Sequence, residues 1–199
     1  MRRFKKWGDN LNKKEQIAQL RERYEYKNFK TNEPVLDIGG GGGFFLESQG
    51  IKEATIIDFT KNKNPKFKYI SADITKELPK LKEKFKTIFI TEVLEHLKNP
   101  LYLLAQVYDF LGEEGVCYIS IPYTEIGPEH HHVCRWKKNE ILDQTRKLGF
   151  DSKIIMSRRR FRGLGFWLPN SWLVLALRTR AKNTNKKNLQ AYNGDEELV

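Results

Sequence analysis

The side chains able to do chemistry in this chain are concentrated in a few stretches. Asp37 stands ahead of Gly39-Gly40-Gly41-Gly42-Gly43, an acid followed by five glycines. Glycine allows positive φ and lets a ligand approach with no Cβ in the way, so this stretch reads as a ligand cradle. Asp58 and Asp73 each end a short apolar run. A carboxylate there can accept charge-assisted hydrogen bonds from a ligand, or it can close a strand-end turn. Glu92, Glu95 and His96 stand at i, i+3 and i+4, which in a helical turn puts them on one face. The alternative is a solvated first turn with acids near a positive helix end. His130, His131 and His132 come later in the chain. Histidine titrates nearest neutral pH, so these residues and His96 are the candidates for a general base, with His132 the first choice. A basic and aromatic patch, Arg158, Arg159, Arg160, Phe161 and Arg162 with Phe166 and Trp167, follows. Such a patch can grip phosphates and stack bases, lie on an anionic membrane surface or close over a small acceptor. It can also be a solvated loop whose aromatics tuck into the core.

These groups need a frame. Val35 to Ile38 read as a buried strand, and Phe44 to Gln49 as a short helix stopped by Gly50, whose first N–H groups would point back at a ligand. Ala54 to Ile57, Phe67 to Ala72, Phe85 to Ile90 and Val116 to Ile121 read as further strands. Asn99-Pro100 is a helix start, Asn as N-cap and Pro in the first turn, with Gly112 to Gly115 as the stop. A first helix is expected from about Asp9 to Lys27, and a last one over Lys138 to Leu148, closed by Gly149. Lys153 to Met156 and Trp172 to Leu177 are the remaining strands. Strands alternating with helices mean a parallel sheet covered on both faces. Two closing strands with no helix between them form an antiparallel hairpin at its edge.

Composition sets outer bounds. With 199 residues, 39% hydrophobic and 12% aromatic, the chain can bury a core as one globular domain. The net charge of +11 is spread widely; it suits solubility, and it also permits attraction to nucleic acid, anionic glycans or lipid headgroups. Cys117 and Cys134 have no metal-like spacing and do not read as a disulfide. No apolar segment follows the basic start, and Leu164 to Leu177, interrupted by Pro169 and Asn170, is too short to span a bilayer. A cytoplasmic chain is expected.

Three ligands compete for a glycine loop after a first strand. The dinucleotide fingerprint needs a glycine where Phe44 or Phe45 stands, and the P-loop needs a lysine that is absent. What remains is acid-x-Gly-x-Gly-x-Gly, met by Asp37, Gly39, Gly41 and Gly43. This motif resembles the first motif of class I S-adenosylmethionine-dependent methyltransferases. Asp58, Asp73, the stretch Glu92 to His96, Gly115 to Pro122 and Leu148-Gly149-Phe150 follow in the family's order. Glu92-Val93-Leu94-Glu95-His96 looks like the ubiquinone/menaquinone-type branch. The resemblance covers residues 33–180, leaving 1–32 as a basic segment with a helix and 181–199 as a polar tail.

That resemblance implies a Rossmann-like α/β fold: a seven-stranded, mostly parallel sheet with helices on both faces and an antiparallel last strand. It implies S-adenosylmethionine as cofactor, with Asp58 on the ribose hydroxyls beside Phe59, and Asp73 and Ile74 near the adenine. It places Asp37, Gly39, Gly41, Gly43, Thr91 and Glu92 on the rest of the cofactor. The catalytic candidates are His132, His96 and Glu95, and the acceptor is expected to be a hydroxyl of a small molecule, lipid or glycan. Two alternatives accompany this reading. Glu92, Glu95, His96, His130, His132 and Trp136 look like the metal site of small-RNA 3′-terminal 2′-O-methyltransferases, which implies Mg²⁺ or another divalent ion on Glu92, Glu95, His96 and His132. RNA would then meet Arg158, Arg159, Arg160 and Arg162. The other alternative is a regulatory protein that binds S-adenosylmethionine without catalysis.

Overall fold

Apolar runs separated by polar turns assemble into one sheet in the computed structural model, which describes residues 12–24, 29–60, 64–122, 133–134, 136–158 and 172–179. Along the chain these form α1 (Lys13–Tyr24), β1 (Val35–Ile38), α2 (Phe44–Ser48), β2 (Thr55–Ile57), β3 (Lys68–Ile70) and β4 (Phe85–Thr91). A 3₁₀ turn (Leu94–His96), α3 (Pro100–Phe110), β5 (Leu111–Pro122), α4 (Lys138–Lys147), β6 (Phe150–Arg158) and β7 (Trp172–Thr179) complete the described elements. The strand order is β3-β2-β1-β4-β5-β7-β6. Strands β1 to β5 pair in parallel, and β7 runs antiparallel to both β5 and β6. This is the Rossmann-like, mostly parallel sheet with an antiparallel close that the alternation implied.

Side chains of a strand alternate between faces, and the core divides accordingly. Leu36, Ile38, Ile88, Ile90, Cys117, Ile119, Leu175 and Leu177 point to one face, where Leu101, Leu104 and Val107 of α3 and Ile141 of α4 cover them. Val35, Ile56, Phe89, Val116 and Tyr118 point to the other, under Leu20 of α1 and Phe45 and Leu46 of α2. On that second face Phe29, Phe45, Phe89 and Tyr118 pack ring against ring, with centroids 5.0 to 5.9 Å apart, edge-to-face geometry being favoured by the ring quadrupole. The Tyr118 hydroxyl donates to the Lys30 carbonyl and accepts from its N–H, each at 3.1 Å, so β5 also fixes the segment that feeds β1.

Two expectations need correction. Gly112 to Gly115 do not lie between α3 and a later strand: β5 begins at Leu111, paired with Phe85, and these four residues bulge opposite Lys86. The bulge needs a glycine at its last position, because a Cβ on Gly115 would lie 2.9 Å from the carbonyls of Gly112 and Phe85. Strand β6 is also longer than expected, because pairing with β7 carries it from Phe150 to Arg158. The Asn99 cap is as read: its side chain accepts from the Tyr102 N–H at 3.2 Å and Pro100 opens the helix. Among the described residues no helix is long and apolar enough to cross a membrane.

Candidate cofactor and active site

The carboxyl ends of β1, β2 and β4 meet where the strand order reverses, which is where open α/β sheets bind ligands. The glycine loop leaves β1 there. Gly39, Gly41 and Gly43 take φ of +74°, +50° and +73°, a region costly to residues with a Cβ. Space enforces two of them: a Cβ on Gly39 would lie 2.5 Å from Val93 Cγ2, and one on Gly43 would lie 2.7 Å from the Phe67 ring. A Cβ on Gly41 would meet nothing within 4 Å, so this glycine faces the crevice. Alternate N–H groups are spent inside the loop. Gly39 donates to the Ile57 carbonyl at 2.8 Å, and Gly43 to that of Gly40 at 2.9 Å. Gly41 donates to Asp58 Oδ2 at 2.8 Å. The Gly40 and Gly42 N–H groups have no partner among the described residues. The loop itself thus holds two unpartnered donors, while α2 is only five residues long.

Asp37 lies beneath this loop. It is fully buried, and neither carboxyl oxygen has a hydrogen-bond partner. Gly40 rides directly over it, a Cβ there falling 2.4 Å from Oδ2. Burial, and then the Asp58 charge, push the Asp37 carboxyl up to about 8. A buried carboxyl without a partner is costly, and an arriving cation would supply what it lacks. Asp58 is differently placed: Oδ1 accepts from Thr60 N–H at 2.6 Å and Oδ2 from Gly41 N–H. A carboxylate offers about four lone-pair sites, so two stay available to a diol. Phe59 beside it presents a bare ring, 73% exposed.

Asp73 ends β3's continuation, but its carboxylate turns onto its own chain. Oδ1 accepts from Thr75 Oγ1 at 2.6 Å and Thr75 N–H at 3.0 Å, and Lys76 Nζ is 3.2 Å from Oδ2. The Thr75 hydroxyl bond, with lesser help from the Thr75 N–H and Lys76, holds it below the usual carboxylate range. Ile74, next in sequence, does reach the crevice, packing with Val93 around Gly39.

After β4 the sequence expectation fails in a specific way. Glu92, Glu95 and His96 do not share a helical face. Glu92 has φ +57° and lies ahead of the 3₁₀ turn. Its carboxylate accepts from Ser120 Oγ at 2.8 Å, and its N–H meets the Ser120 side chain at 3.1 Å. Glu95 turns inward and is buried, whereas the His96 side chain is 45% exposed; Nε2 stands 4.0 Å from Glu95 Oε1, too far for a hydrogen bond. The Glu95 carbonyl accepts from Val133 and Cys134 N–H at 2.8 and 3.1 Å, tying the chain just after His132 to this turn. Trp136 is buried in the core. Among the described residues no His, Cys, Asp and Glu side chains converge as metal ligands, and no step through a metal is derived. His130, His131 and His132, and the patch from Arg159 through Trp167, lie outside the described residues, as does the side chain of Arg158.

Sequence reading missed Tyr69, Val93, Thr60 and Ser120. Each is an ordinary β or turn residue by type: β3 register aims Tyr69 at Gly41, Val93 packs on Gly39, Thr60 caps Asp58 locally and Ser120 holds Glu92.

The sheet order and the crevice define a Rossmann-like methyltransferase architecture. The chain superposes on a SAM-dependent methyltransferase from Thermotoga maritima with TM-score 0.65 and 17% identity, covering 82% of this chain and 90% of that one. It is also similar to a glycopeptide N-methyltransferase solved with S-adenosylmethionine (TM-score 0.58, 13% identity, 82% and 94% covered). The N-terminal domain of EvdMO1, solved in the presence of SAH and D-fucose, matches likewise (TM-score 0.58, 13% identity, 87% and 85% covered). A comparison with curated sequences finds no match. The profile of the methyltransferase domain family matches residues 10–171, so the chain belongs to that family. Family and fold together make it a methyltransferase of the class I, S-adenosylmethionine-dependent kind.

Proposed function

We propose that this enzyme methylates a hydroxyl of a small molecule, lipid or glycan, within the ubiquinone/menaquinone-type branch of class I. The observation that carries the cofactor half is the buried, unpartnered Asp37 carboxyl beneath a glycine loop whose Gly40 and Gly42 N–H groups have no partner among the described residues. That pairing of a latent anion with two adjacent donors suits an amino-acid group, ammonium toward Asp37 and carboxylate toward the loop. Asp58 takes the ribose hydroxyls with its two remaining lone-pair sites. The exposed Phe59 ring offers a face to the adenine, and Ile74 and Val93 wall the crevice around Gly39. Thr91 and Glu92, at the end of β4, border the same crevice. When bound, S-adenosylmethionine supplies a methyl on a positively charged sulfur, already activated for displacement.

The chain's own tasks are then alignment and exclusion of water. A hydroxyl acceptor gains from a base, and His132 is assigned that role. Its neighbour Val133 is held on the Glu95 carbonyl, which brings this part of the chain to the turn bearing His96. One of the similar structures is a domain solved with a sugar present, which supports a small or glycan acceptor. The test is methyl transfer from labelled S-adenosylmethionine to a panel of hydroxyl acceptors. His132→Ala is expected to lower turnover by about 10²–10⁴-fold, the usual worth of a positioned base, with cofactor affinity kept. Full turnover in His132→Ala would contradict the assignment.

A further inference from the structure

Gly41 is gripped through both of its backbone polar groups, one in each flanking peptide, by side chains from neighbouring strands. Its N–H donates to Asp58 Oδ2 at 2.8 Å, and its carbonyl accepts from the Tyr69 hydroxyl at 3.2 Å. The same hydroxyl accepts from the Asn64 N–H at 3.1 Å. Tyr69 is the middle residue of β3, paired in register with Ile56 of β2, so its ring is aimed by the sheet. Asn64 is buried and closes the turn into Phe67, whose N–H donates to the Asn64 carbonyl. Phe67 is the ring that forbids a Cβ on Gly43. Tyr69 therefore links a fixed turn to a glycine of the loop around which a Cβ would meet nothing within 4 Å. Burial holds its hydroxyl above the ordinary range, which keeps it a donor.

Orientation of the Gly41 carbonyl matters because it shares a peptide plane with the Gly42 N–H, one of the loop's two donors without a partner among the described residues. A peptide plane is rigid, and glycine's freedom lets it rotate unless it is held. Asp58 holds only the Gly41 N–H, which lies in the preceding peptide plane, so the plane that carries the Gly41 carbonyl is left to Tyr69. We propose that Tyr69 is a positioning residue for the cofactor, fixing the Gly41 carbonyl so that the glycine loop keeps its binding shape. The proposal rests on the cofactor reading for its purpose, but not for its geometry.

The test is Tyr69→Phe, which removes one oxygen and keeps the ring. Three quantities are measured: affinity for S-adenosylmethionine by titration calorimetry, amide hydrogen exchange without ligand, and the melting temperature without ligand. Affinity is expected to fall about three- to tenfold, the worth of one net hydrogen bond. Exchange at Gly41 to Gly43 is expected to quicken while the strands stay protected and the melting temperature is little changed. Equal affinity in variant and wild type overturns the proposal. So does unchanged exchange in the loop, and this measure holds even if the wild type fails to bind S-adenosylmethionine, an outcome that sinks the cofactor reading instead. A melting temperature lowered by more than about 4 °C, a loss of roughly 1 kcal/mol or more in a chain of this size, with exchange quickened through β2 and β3 alike, makes Tyr69 a packing residue and overturns it too.

Discussion

Asp37 and Asp58 are both acids at strand ends, and the fold uses them oppositely. Asp58 is satisfied by two backbone N–H groups, while Asp37 is sealed in with none. The second arrangement has a thermodynamic signature. The folded, ligand-free chain keeps a proton on Asp37 until about pH 8, against 3.8 for an ordinary aspartate. Between those values the folded state binds more protons than the unfolded one, so this group's contribution to stability is complete at low pH and is lost as pH rises toward 8. Asp37→Asn removes the titration. The variant is expected to melt higher than wild type at pH 8, with the advantage shrinking by pH 5, and to bind S-adenosylmethionine poorly; thermal melts at the two pH values check it. Asp58 and Asp73 show how far residue type is legible. Both end apolar runs and look alike in sequence, and only the structure turns one to the loop and the other onto Thr75.

Elements were legible where local rules decide. The acid-glycine pattern gave the β1 loop in place, because left-handed backbone and close side-chain approach both demand glycine. The Asn99-Pro100 helix start was legible for the same kind of reason. The turn after β4 was not. Glu-x-x-Glu-His suggests a helical face, and nothing in the residue types announces a glutamate at φ +57°. That conformation carries strain and is held from β5 by Ser120, distant in sequence. The loop itself offers a graded test. Gly41→Ala places a methyl in open space and carries a left-handed penalty of about 1–2 kcal/mol. Gly43→Ala carries the same penalty and also drives a Cβ to 2.7 Å from the Phe67 ring. Both are expected to lower the melting temperature, Gly43→Ala more, while Gly41→Ala, facing the crevice, weakens S-adenosylmethionine in a chain that still folds. Equal stabilities would contradict the packing described here.

At the scale of the whole molecule, the alternation of strands and helices gave the sheet, its covered faces and its antiparallel edge, because burial on two faces leaves near-continuous apolar runs. Register was not legible, and register is what brings Tyr69 to Gly41 and Val93 to Gly39. The cofactor side of the crevice is built from strand ends, whose positions the sheet fixes. The acceptor side depends on connections, whose sequence constrains them far less. This division makes the cofactor the sharpest test of the account. The measurement is titration calorimetry of the full chain with S-adenosylmethionine and, separately, with a nicotinamide dinucleotide, repeated on Asp58→Ala and Asp73→Ala. The expected result is binding of S-adenosylmethionine alone, weakened in Asp58→Ala by about 1.5–3 kcal/mol, the worth of hydrogen bonds to a charged group, and changed far less in Asp73→Ala. No binding of S-adenosylmethionine by the folded wild type, or binding untouched by Asp58→Ala, would contradict it.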